Sequence, residues 1–145
     1  MDLLSDLIEK PRFAPIKYRV GASLIDFLMV FLITAIMGHF FGESYSEDGS
    51  TGVRITGWPA FVLFLGIFAL IPLQEGLTGR TIGKRIARIK VVKEDFSDAT
   101  VGTSIVRHLF DMVDMFVCLG IIVASSNQKT QRVGDLVART VVVMD

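Results

Sequence analysis

The sequence predicts an all-α membrane protein, with two transmembrane helices, a third short helical segment that re-enters or spans, and a small two-stranded cytoplasmic β element. Three observations predict it. Hydrophobic residues make up 51% of the 145 residues, eleven of them Phe, and mean hydropathy is +0.54. A soluble core of this size uses less, so the excess must face something other than water. Two apolar runs are each about long enough to cross a hydrocarbon core of roughly 30 Å as helices. Lys and Arg gather before the first run and after the second, whereas the connection between them is acidic.

The chain reads as a single domain. Residues 1–17 form a cytoplasmic amphipathic N-terminus, with Leu3, Leu4, Leu7 and Ile8 on one face that lies along the membrane surface or on the domain. The first span, residues 18–41, is "YRVGASLIDFLMVFLITAIMGHFF". It reads as a retained anchor, because the stretch before it is acidic rather than basic and no small-residue cleavage pattern follows. Residues 42–57 make a Gly/Ser-rich outer loop containing Glu43, Glu47 and Asp48. The second span, 58–77, opens with Trp58, suited to the interface, and Pro59, suited to a first helical turn. Pro72 near its end frees the carbonyl of Phe68.

Residues 78–103 form a cytoplasmic basic segment. Within it Ile82, Ile86 and Ile89 against Lys84, Arg85 and Arg88 read as an interfacial helix over anionic lipid headgroups. The third hydrophobic segment, 104–126, carries Arg107, His108, Asp111 and Asp114 in its first half. Only Met115 to Ala124 is free of charge, too short to span unaided. Lys129, Arg132 and Arg139 follow, so the charge rule favours re-entry, provided that protein covers the turn. In the C-terminal segment, 127–145, "RTVVVM" matches the earlier "RIKVV", and the two strand-like runs pair if both ends are cytoplasmic.

Three patterns then resemble the RDD family of small membrane proteins, named for one arginine and two aspartates. They are Arg19 and Asp26 in "RVGASLID", Asp135 in "QRVGDLVARTVVV", and "GLTGRTIGKRIARIKVV", similar to the family's Gly-Thr-x-Gly-Lys-Arg segment after its second span. The resemblance runs from about Ile16 to Met144. It implies an arginine at the start of the first helix, an aspartate within it, and transport of unidentified ligands, with cation/proton exchange proposed for some members. One departure is "VART", where Arg139 stands in place of a small residue.

Arg19 and Asp26 are two helical turns apart, roughly 10 Å along the axis, so each needs another partner. The expected network, all in one cytoplasmic-leaflet layer, comprises Arg19, Asp26, Glu75, Arg107, Asp111, Asp114 and Asp135, with Lys84, Arg85 and Arg88 facing lipid. Two readings of that layer stand side by side. Either it is a salt-bridge network that fixes the spans, or some of its carboxylates bind a cation or relay a proton. The functional classes follow: a small-ligand or cation/proton transporter, expected to oligomerise, or a non-transporting adaptor for a partner membrane protein or anionic lipid. His39 and Glu43 supply too few ligands for a metal, and no cofactor is expected. "GRTIGKR" lacks the ending and preceding strand of a phosphate loop. No catalytic motif and no basic and aromatic surface for nucleic acid is seen, so no enzyme and no nucleic-acid partner is expected. The single Cys118 excludes an internal disulfide. The expected location is the inner membrane of a prokaryotic cell, N-terminus cytoplasmic.

Overall fold

The computed structural model describes the backbone of residues 12–117, 119–126 and 128–145, and the side chains outside 111–122. The N-terminal face of Leu3, Leu4, Leu7 and Ile8, Cys118, and the side chains of Asp111 and Asp114 lie outside the described residues. Helices α1 (Ile16–Phe41) and α2 (Gly57–Thr78) are, among the described residues, the two long and apolar enough to cross a membrane. Their flanks are uncovered: Leu24, Phe27 and Phe31 on α1, and Phe61, Phe64 and Leu70 on α2, are exposed. Helices that are apolar all round and not covered by protein require an apolar surrounding.

The connection expected as a Gly/Ser-rich outer loop is a hairpin. Strands β1 (Glu43–Glu47) and β2 (Ser50–Arg54) pair antiparallel from Glu43↔Arg54 to Glu47↔Ser50. Between them Asp48 and Gly49 both have positive φ, 47° and 79°. A two-residue turn of that hand matches the twist of the strands, and Asp-Gly favours it. The dipeptide was visible in the sequence, but Ser, Gly and acidic residues around it hid the strands.

The basic segment also differs from expectation. Helix α3 covers only Ile82–Ile86, because Arg88 adopts φ 53° and turns the chain into β3 (Ile89–Lys93). Ile89 is therefore no part of an interfacial helix. It is fully buried in the core beside Val91, Ala22, Ala14 and Val142. The β-branched run from Ile89 to Val92 prefers the pleated, buried surface that β4 (Thr140–Met144) supplies. The two strands pair antiparallel from Ile89↔Met144 to Lys93↔Thr140. Residues 12–14 line the other edge of β4, where Ala14 N–H donates to the Val142 carbonyl at 2.8 Å. Three segments distant in sequence thus share one small sheet.

The third hydrophobic stretch forms α4 (Val101–Val117) and α5 (Leu119–Ser126), followed by the short α6 (Val133–Val137). Helix α4 packs against α2 and α6. Its buried side carries Ser104 and Arg107, and its exposed side carries Ile105 and Leu109. That is the reverse of an amphipathic helix in water.

The α3–β3 and α6–β4 units are one pattern used twice. "IGKRIARIKVV" and "VGDLVARTVVV" align position for position. Each gives a five-residue helix, an Ala-Arg turn with the arginine left-handed (Arg88 φ 53°, Arg139 φ 51°), and a strand. The strands meet at their midpoints, Val91↔Val142, so the local two-fold of the pair relates the two units. The relation extends to the longer helices. Gly83 of α3 lies against the backbone of Ala22 in α1, and Gly134 of α6 against Arg107 and Phe110 in α4. Ala22 and Phe110 each stand three residues after an arginine, Arg19 and Arg107.

Candidate functional site

A chain of alternating charges joins five helices. The Arg19 guanidinium in α1 donates to Asp135 Oδ2 and to the Thr130 carbonyl. Asp135, in α6, also accepts Arg107 Nε at 2.8 Å and the Arg132 backbone N–H at 3.0 Å. From α4, Arg107 reaches Glu75 Oε1 at 2.5 Å. Glu75, in α2, takes Lys84 Nζ on its other oxygen and the Ser104 hydroxyl at 3.3 Å, with His108 Nε2 3.7 Å away. Relative exposure is 5% for Arg19, 0% for Glu75, 6% for Arg107 and 2% for Asp135. Charges buried this deeply persist only when paired and hydrogen-bonded, and here each acid holds two cations.

Asp135 has a second task. By accepting the Arg132 N–H it satisfies one of the free donors at the start of α6. Burial works to raise its carboxyl, but Arg107 and Arg19 outweigh burial and hold it at about 2.

Asp26 stands apart from this chain. One oxygen accepts the Thr81 hydroxyl at 2.5 Å and the other the Gly83 N–H at 2.7 Å. Thr81 Oγ in turn accepts the Lys84 N–H at 3.3 Å, so an aspartate from α1 and a threonine together cap α3. Glycine at 83 is required by proximity, since a β-carbon there would collide with the Ala22 carbonyl. Among the described residues Asp26 has no salt bridge. It is only partly buried, and it lines a cleft of about 500 Å³ between α1 and α2. Gln74 and Thr81 join it there, while Met29, Ile33, Met37, Leu63, Gly66 and Ile67 make the walls apolar.

Of the residues singled out in the sequence, the structure brings together Arg19, Glu75, Arg107 and Asp135, and holds Asp26 in the neighbouring cap. Asp111 and Asp114 have side chains outside the described residues. Lys84 turns inward to Glu75, whereas Arg85 and Arg88 are exposed. Sequence reasoning missed Thr81, Ser104 and the Thr130 carbonyl. The threonine three residues before Lys84 was a legible capping signal, but the other two depend on contacts between distant segments.

Two uncovered apolar helices, tied at one end by buried ion pairs, define an integral membrane protein. Within that class the chain belongs to the RDD family, whose sequence model matches residues 13–139. No curated protein and no solved structure matches it.

Proposed function

We propose that this protein moves a small ligand across the inner membrane, and that Asp26, rather than the ion chain, meets the ligand. The observation that carries this is a contrast between acids. Glu75 and Asp135 each already hold two cations, whereas Asp26 has none among the described residues and borders a cleft between the spans. An ionisable group at membrane depth without an ionic partner is a functional candidate. The ion chain then serves as the scaffold that keeps α1, α2, α3, α4 and α6 in place.

In this reading the N-terminus, the β3–β4 sheet and the ion chain are cytoplasmic, following the Lys and Arg distribution. The third stretch re-enters. In support, pairing of β3 with β4 returns the chain to its starting level, and α4 turns its polar side toward protein and Ile105 and Leu109 outward. Two spans enclose no path by themselves, so the working form is an oligomer. Arg85 and Arg88, exposed beside α3, are the groups for anionic headgroups. No bond is made or broken in the ligand.

The test is flux in proteoliposomes, loaded in turn with Na⁺, K⁺ or a pH gradient, for wild type and Asp26→Asn. Flux above empty vesicles that the substitution abolishes is the expected result. Flux equal to empty vesicles for every gradient would favour the adaptor reading.

A further inference from the structure

We infer that the cleft between α1 and α2 is a binding site for a hydrophobic organic cation, whose charge lies against Asp26 and whose apolar body lies between the spans. The inference rests on the reading of Asp26 as the ligand-facing acid. Polar groups are confined to one end of the cleft, where α3 closes it: Asp26, Gln74 and Thr81. Beyond them the walls are aliphatic and thioether, and Gly66 leaves width on α2. The volume, about 500 Å³, is that of a small-molecule pocket.

The chemistry separates this occupant from others. A hard divalent cation, Ca²⁺ or Mg²⁺, needs six or more oxygens, or several retained waters. Here both carboxylate oxygens already accept a hydrogen bond, and the lining adds only the side-chain oxygens of Gln74 and Thr81. An anion would meet the carboxylate with no described cation to offset it. A neutral acyl chain would leave that charge uncompensated. A diffuse organic cation loses little hydration, fills apolar walls and neutralises the carboxylate in a low-dielectric setting.

Tetraphenylphosphonium and tetraphenylborate share shape and differ in sign, so together they test the inference. Equilibrium binding of each would be measured to the full chain in nanodiscs of zwitterionic lipid, with empty nanodiscs subtracted. The comparison covers wild type, Asp26→Asn, Asp26→Glu and Gly66→Leu. Saturable binding of the phosphonium alone is expected, weakened about tenfold or more by Asp26→Asn and retained by Asp26→Glu. Gly66→Leu fills the cleft without touching any ion, so it should weaken binding too, and it carries the test if Asp26→Asn does not fold. Equal binding of both probes, or phosphonium binding unchanged in Asp26→Asn and Gly66→Leu, overturns the inference and assigns the cleft to lipid chains or a second copy. Asp26-dependent Na⁺ or K⁺ flux without phosphonium binding overturns the organic-cation site while leaving transport standing. Phosphonium binding without flux of any ion supports the site and removes the transport reading.

Discussion

The two repeated units solve the same problem differently. Each sets a five-residue helix against an arginine-bearing longer helix, and each must satisfy the helix start and neutralise buried guanidinium groups. In the second unit one residue does both, since Asp135 caps α6 and receives Arg19 and Arg107. In the first unit the equivalent position is Lys84, a cation that can do neither. The tasks are divided: Asp26 caps α3 from outside, and Glu75 enters from α2 to stand between Lys84 and Arg107. With a cation at this position of the first unit, Glu75 supplies the acid that Asp135 supplies in the second, and Asp26, in its capping place, is left without a cation among the described residues.

The division of tasks is most exposed at Glu75. Replacing it with Gln removes the acid that stands between Lys84 and Arg107 in a buried place and should cost about 3–5 kcal/mol. The double variant Glu75→Gln, Lys84→Met should recover part of the loss, since one of the two cations Glu75 serves is gone, with a coupling of about 1 kcal/mol or more in a double-mutant cycle. Thermal unfolding in detergent reads both. Additive losses would mean that Lys84 and Glu75 do not act as a pair.

A smaller effect concerns the acid that does two tasks. The Asp135 carboxyl lies at about 2, below its ordinary 3.8, so the unfolded chain takes up the proton first as pH falls. Its contribution is complete above the ordinary value, shrinks as pH drops through it, and is gone near the folded value. The difference amounts to about 2 kcal/mol. Stability measured between pH 5 and 2 should therefore fall less in Asp135→Asn, which starts lower, than in wild type. Parallel curves would remove Asp135 from the ion chain.

Asp26→Ala removes only a cap, so a loss of about 1 kcal/mol is expected, with Asp26→Asn losing less because its carbonyl still accepts a hydrogen bond. A loss as large as that of Glu75→Gln would show that Asp26 carries an ionic partner after all and would undo the contrast between the halves. Least in size are the turns the halves share. Arg88 and Arg139 hold φ of 53° and 51°, where glycine is at ease and other residues are strained by about 1–2 kcal/mol. Glycine loses more chain entropy on folding, so Arg88→Gly and Arg139→Gly should each raise stability by less than about 1 kcal/mol, and by similar amounts. Unequal gains would mean that the two turns are not equivalent. At "VART" the left-handed φ of Arg139 is where a small residue would be least strained, so the arginine keeps the turn at a cost in strain.

The repeat itself was in the sequence. "IGKRIAR" and "VGDLVAR" share Gly, Ala and Arg at the same offsets, and Arg19 and Asp26 are spaced as Arg107 and Asp114 are. The segments between the matching stretches differ in length, and a charge reversal at Lys84 and Asp135 masks the shortest match. The Asp-Gly turn of the β1–β2 hairpin was equally present, yet strands made of Ser, Gly and Glu lack the apolar alternation that reveals a half-buried strand.

Composition and run length alone determined that two helices face an apolar surrounding, because burial of so many exposed Phe and Leu side chains has no aqueous solution. Spacing alone determined that Arg19 and Asp26 do not meet, since a helix fixes distances along its axis. Which acid meets which cation was decided only in three dimensions. Asp135 joins residues from α1 and α4, and Glu75 joins α3 and α4, across separations in the chain that no local rule ranks. Charges attract without regard to sequence, so their pairing had to wait for the short glycine contacts and the β3–β4 register that bring the helices together.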